Sequence, residues 1–306
     1  MTLTPRLLLL LTAPSLLWAG NAVLGRLMVG HVPPMTLNLL RWVLTVLILL
    51  PLAWRALRPW SRIRERWGYL LVIGVLGAGL YNSLQYLALI TSTPINVTLV
   101  ASSLPVWSLA VGALCFGERP SRRQALGAAL GLAAVVIVLS RGSLDVLRTV
   151  RFVPGDLYML GAVIGWSFYS WLLVKPPAHM RGAQRPDWDW AGFLLIQGLF
   201  GLAGSGLFFT LEHALGTHPI DWSLPVLAGL LYAAVGASIV AYRCWGLAVA
   251  EGGPTLAALF YNMTPLVAAL LSSVLLGESP RLYHALALLL LFGGIVVSTR
   301  QARRSP

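Results

Sequence analysis

The feature that most restricts how this chain can fold is a succession of ten apolar stretches separated by short polar links. They run over 7–29, 35–54, 67–90, 94–116, 122–140, 154–174, 190–211, 223–246, 254–276 and 281–299. A helix that crosses a bilayer needs roughly 20 apolar residues. In lipid every backbone polar group must be paired within the segment itself, so each stretch is read as a helix. The fold class expected is therefore an all-α polytopic membrane protein with ten transmembrane helices. Composition agrees, because only 10% of the 306 residues are charged, against about 25% in soluble domains. The apolar stretch at the start continues to Val29. It is expected to be a span and not a cleaved leader, since removing it would leave nine spans and break the repeat described below.

The net charge of +12 would suggest nucleic acid in a soluble protein. Here nearly all charges lie in links, so the excess reads as a topology signal and no nucleic-acid partner is expected. With the N-terminus inside, fifteen basic residues face the cytoplasm: Arg6, Arg55, Arg58, Arg62, Arg64, Arg66, Arg119, Arg122, Arg123, Lys175, Arg181, Arg185, Arg300, Arg303 and Arg304. Four face outward: Arg141, Arg148, Arg151 and Arg281. The positive-inside rule then places both termini in the cytoplasm, which an even number of spans allows. A bacterial inner (plasma) membrane location follows as the expectation. Cys115 and Cys244 stand far apart, with no Cys, His or carboxylate at metal spacing. Neither a disulfide, a metal site nor a cofactor is expected.

A shift of 160 residues superposes the chain on itself. Pro94 falls on Pro254, Pro105 on Pro265, Gly117 on Gly277, Glu118 on Glu278 and Pro120 on Pro280. Prolines and a Gly-Glu pair in register carry more weight than matched leucines, which recur everywhere in a membrane protein. The repeats are expected at 1–146 and 147–306, five spans each, within one integral membrane domain. An odd number per repeat inverts the second copy in the membrane. Inverted repeats are a transporter architecture, with the substrate near the midplane where the halves meet. A duplicated structural membrane protein is the plain alternative. Pro105 and Pro265 each remove a backbone donor and clash with the preceding turn. They should kink spans 4 and 9 at related points, as a structural bend or as a hinge.

These residues resemble a known family. Ser102-Ser103-Leu104-Pro105 followed by Gly117-Glu118-Arg119 resembles the fourth span and following loop of the EamA-type drug/metabolite transporter superfamily. Asn262-Met263-Thr264-Pro265 with Gly277-Glu278 repeats the pattern. Leu17-Trp18-Ala19-Gly20-Asn21 is similar to that family's first span and Gly165-Trp166 to its sixth, and Arg41 sits where its second span carries an arginine. The group Tyr81, Asn82, Gln85 and Tyr86 and the run Ala241-Tyr242-Arg243-Cys244-Trp245 most resemble the aromatic amino-acid exporters of that superfamily. The resemblance implies a ten-helix exporter of amino acids with a central cavity formed by both halves.

Polar side chains inside spans tend to face the bundle or a cavity. Tyr81 and Gln85 share one face of span 3, with Asn82 and Tyr86 on the next. Trp18 and Asn21 lie together in span 1, and Trp166, Tyr169 and Ser170 in span 6. Tyr242, Tyr261 and Asn262 come from spans 8 and 9. Such a lining suits a zwitterion with an apolar or aromatic side chain. Tryptophans near span ends, among them Trp54, Trp60, Trp67, Trp188, Trp190 and Trp222, read as interfacial anchors. Arg41 could hold a substrate carboxylate or snorkel outward. Arg243 reads as snorkelling, and Glu118 and Glu278 as structural groups favouring the N-terminus of the next helix.

The leading expectation is a small-molecule exporter in the lipid bilayer, a monomer or loose dimer, with amino acids or related metabolites as cargo. The same fold could carry drugs or purines, or work by proton antiport. No span holds the His, Asp or Glu cluster that acid–base or metal catalysis would need, so no catalytic residue and no enzyme activity are expected. A channel would need a continuous pore, whereas inverted repeats favour alternating access.

Overall fold

A computed structural model describes residues 3–92, 94–275 and 282–299. Among them every extended regular element is helical and none is a strand. Nine of these helices are long and apolar enough to cross a membrane. Span 1 is Pro5–Leu27, span 2 Pro34–Ala53, span 5 Arg122–Leu139, span 6 Pro154–Val174, span 7 Trp190–Ala214 and span 10 Leu282–Thr299. Span 3 covers Trp67–Thr91 and span 8 Leu224–Gly252. Span 4 is interrupted at Ser102 and Ser103, between Pro94–Ala101 and Leu104–Cys115. Span 9 is cut at Asn262 into Pro254–Tyr261 and Met263–Leu275, so neither piece crosses alone.

The interruptions follow from the prolines. A proline at position 105 cannot donate to the carbonyl four residues earlier, so the chain closes one helix and starts another. Pro105 then sits at the start of the second piece, where its missing N–H breaks nothing. Pro265 is likewise in the first turn of its piece. Pro94, Gly277, Glu278 and Pro280 fall in or beside regions whose side chains or backbone lie outside the described residues.

Spans 5 and 10 pack along each other, and so do spans 2 and 7. Span 3 lies on span 6 as span 8 lies on span 1, and span 4 meets span 6 as span 9 meets span 1. Exchanging the two repeats maps this set of contacts onto itself, as a two-fold axis requires. With five spans in each half, the second repeat is inverted. Glycines make the contact of span 5 with span 10 and that of span 3 with span 7 close. A Cβ on Gly127 would stand 2.7 Å from the Gly294 carbonyl, and one on Gly74 would stand 2.8 Å from the backbone of both Gln197 and Gly201. In contrast, Gly161 and Gly165 meet only leucine side chains of span 3.

Spans 3 and 8 each contain one π-helical stretch, Val75–Leu80 and Val235–Val240, again 160 residues apart. Neither was legible beforehand. A π turn shifts the register of everything after it and frees carbonyls from the ladder.

Two end-of-span expectations need correction. Span 8, expected to end at 246, runs on to Gly252, so its last turns carry Glu251, which pairs with Arg6 at 2.8 Å. Glu118 does not serve the next helix. Ser121 and Gln124 cap span 5 with a reciprocal box, and Glu118 instead pairs with Lys175 at 2.5 Å.

Candidate functional site

The π turns decide what the bundle's centre contains. In span 3, the Gly77 carbonyl accepts from the Tyr242 hydroxyl and the Ala78 carbonyl from Asn38 Nδ2 at 3.4 Å. In span 8, the Ala237 carbonyl accepts from Trp18 Nε1 at 3.0 Å. The Gly77 and Ala237 carbonyls, which lie in the π-helical stretches, thus anchor aromatic side chains from the other repeat. Gly77 must be small here, because a Cβ would lie 2.6 Å from Gln197 Nε2 and 2.8 Å from the Tyr169 ring.

Around these anchors the aromatic residues form one cluster. Trp18 meets the rings of Trp166 at 5.4 Å, Trp245 at 5.3 Å and Tyr261 at 5.9 Å. Trp166 in turn meets Tyr81 at 5.5 Å, Tyr169 at 4.8 Å and Tyr242 at 5.5 Å. The Tyr81 and Tyr261 hydroxyls bond each other at 2.6 Å, tying span 3 of one repeat to span 9 of the other. Most of these ring pairs are tilted or edge-on, the arrangement aromatic quadrupoles favour. The cluster is filled: Trp166, Tyr169, Tyr242 and Trp245 are all buried.

The open space lies beside it. A cavity of about 320 Å³ is bounded by Tyr69, Tyr169, Phe193, Gln197 and Tyr242, with Trp188, Trp190, Arg185, Arg243 and Asp189 toward its mouth. That volume matches a small-molecule site, where about 300 Å³ is the lower end. Its mouth faces the link after span 6 and the start of span 7. At its inner wall Gln197 Nε2 donates to the Tyr169 hydroxyl at 3.0 Å.

Of the residues singled out from sequence, Tyr169 and Tyr242 line this cavity, while Trp18, Tyr81, Trp166 and Tyr261 close the space behind it. Asn82 is half-buried and donates to Asn38 Oδ1 at 3.4 Å; Asn21, Gln85 and Tyr86 are also half-buried and do not border the cavity. Asn262 is fully buried in the span 9 break and its amide has no hydrogen-bond partner in the protein. Arg41 turns inward and does not snorkel. It is 4% exposed, and its Nε donates to Ser238 at 2.6 Å. Sequence reasoning passed over Tyr69, Phe193 and Gln197, and it assigned Trp188 and Trp190 to the interface. Gln197, a lone amide deep in an apolar span, was the available signal.

Comparison with known proteins settles the family. The model of the EamA-like transporter family matches twice, over residues 6–140 and 153–300. The chain belongs to the EamA-like transporter family. It is a multi-pass membrane protein of a family that moves small molecules. The aromatic amino acid exporter YddG of Ancylobacter novellus is 27% identical, with 94% of this chain and 95% of that one aligned. A probable amino-acid metabolite efflux pump of Salmonella typhimurium is 26% identical over 92% and 90%. An uncharacterized transporter of Archaeoglobus fulgidus is 26% identical over 95% and 96%. A crystal structure shares the fold, with a TM-score of 0.75, 24% identity and 95% of each chain covered. In this EamA-like transporter, then, the closed aromatic cluster lies where the two matched halves meet, and the cavity beside it is walled by the second half with Tyr69 from the first.

Proposed function

We propose that this transporter exports amino acids, aromatic and other neutral ones foremost, or related small metabolites, by alternating access and without coupling to an ion gradient. The observation that carries this reading is the 320 Å³ cavity walled by tyrosine and phenylalanine rings and backed by a packed aromatic cluster. A cavity open at one end and sealed at the other is one half of an alternating-access cycle. The charge bias of the links supports a cytoplasmic mouth, the side from which an exporter loads. The names of the Ancylobacter and Salmonella relatives point to the same cargo class. The Trp18, Tyr81, Trp166 and Tyr261 group would be the barrier that parts when the outer side opens, and the broken spans 4 and 9, at Pro105 and Pro265, the places where the chain bends.

Uncoupled transport is supported by the carboxylates near the outer ends. Glu212 accepts from Met35 N at 2.8 Å and Thr36 N at 2.9 Å, capping span 2. Asp156 accepts from Val153 N at 2.9 Å and Asn96 Nδ2 at 3.2 Å, capping span 6. Both are occupied as helix caps. The test is flux in reconstituted liposomes with a panel of amino acids, the membrane potential being clamped. Neutral and aromatic amino acids should equilibrate and stop there, with or without a pH gradient. Uphill accumulation driven by the pH gradient alone would establish proton antiport, and flux of purines or drugs with none of amino acids would reassign the cargo.

A further inference from the structure

Resting on that reading of the cavity, we propose that the carboxylate is the head group this site requires of its cargo and that the ammonium is dispensable. Two guanidinium groups, Arg185 and Arg243, line the cavity. Among the described residues neither pairs with a carboxylate, whereas Arg6, Arg62, Arg66, Arg148 and Lys175 all do. The Arg243 guanidinium carbon stands 5.3 Å from the centre of the Trp190 ring, within cation–π reach. These are cations without a counter-charge, and a guanidinium fork matches a carboxylate in shape as well as charge.

A cation finds less charge to meet. The Tyr69 and Tyr242 hydroxyls, which donate to the Leu172 and Gly77 carbonyls, can offer an ammonium only neutral oxygens, and Tyr169 and Gln197 bond each other. Asp189 is the one acid on the lining. Its Oδ1 accepts from Gly192 N at 2.7 Å, where it caps span 7, and the helix N-terminus further neutralises it. A cargo carboxylate therefore meets two unpaired cations, and a cargo ammonium meets ring faces under a net positive mouth. A compound that keeps the ring and the carboxylate but lacks the ammonium should bind; one that keeps the ammonium alone should be turned away.

The purified full chain carries its own reporter, since Trp188 and Trp190 line the cavity. Its tryptophan fluorescence is titrated with phenylalanine, 3-phenylpropionate and phenethylamine, which share a ring and differ in head group. The acid should bind within about threefold of phenylalanine and the amine about tenfold or more weaker, as expected when charge complementarity sets selectivity. Arg185→Gln with Arg243→Gln should weaken the acid about tenfold and erase the preference, while Arg64→Gln, away from the cavity, should change nothing. If the double variant does not fold, Arg185→Gln alone, at an exposed position, should still weaken the acid about threefold. Equal binding of amine and amino acid overturns the inference and leaves the exporter reading intact. So does wild-type affinity for the acid in a folded double variant. No response to any of the three ligands overturns both.

Discussion

The Tyr81–Tyr261 hydroxyl bond is the smallest unit on which a change of access can be tested. It spans the two repeats at the end of the aromatic cluster away from the cavity. A hydrogen bond between neutral groups is worth about 1 kcal/mol net, or about fivefold in an equilibrium between two conformers. Tyr81→Phe should therefore raise the outward-accessible population about fivefold. The measurement is the labelling rate of Asn21→Cys by a membrane-impermeant thiol reagent, after Cys115 and Cys244 have been replaced. An unchanged rate would mean that the bond does not hold the outer side shut. Residues were only partly legible from sequence at this scale. The rule that polar and aromatic groups inside spans face the interior picked out Trp18, Tyr81, Trp166, Tyr169 and Tyr242, and the structure gathers all five at the centre. The rule cannot separate a ring that walls an open space from one that seals it, because both are interior. Trp188 and Trp190 escaped because a tryptophan beside a span end looks the same whether it meets headgroups or a vestibule.

Elements were read well wherever hydropathy alone decides them, and poorly where backbone register does. Span 6 falls at 154–174 as expected, and the break in span 4 lies one turn before its proline. The π turns had no such signal. Val75–Leu80 and Val235–Val240 are ordinary small and branched apolar residues, and only hydrogen-bond register distinguishes the two helix types. Their effect is nevertheless large, since each adds a residue to one turn. Deleting Gly236 should let the stretch relax to α geometry and turn everything after it by about 100°. Tyr242 and Arg243 would leave the cavity, and Trp18 would lose its acceptor at Ala237. Liposome flux should fall to background while the protein still inserts and melts cooperatively. Retained flux would show that the extra residue has no part in building the site.

For the whole molecule, the ten-helix plan was visible because bilayer thickness, charge bias and a repeat at constant spacing each limit it independently. Orientation is tested at two links. A cysteine replacing Arg64 should resist an impermeant thiol reagent added to intact cells, and one replacing His218 should react. The opposite pattern would invert the molecule and turn the cavity mouth outward.

The 160-residue correspondence also bears on energetics. The contact scheme is unchanged when the repeats are exchanged, so exchanging their conformations generates the oppositely facing state from the same set of packings. Were the two halves identical in sequence, those two states would be degenerate and equally populated, whatever the strength of any single contact. The resting bias of this protein is therefore set by the positions at which its halves differ, such as the glycine at 77 where the second repeat has alanine at 237, and by the difference between the two faces of the membrane. Each substitution that makes the halves more alike should move the equilibrium toward one.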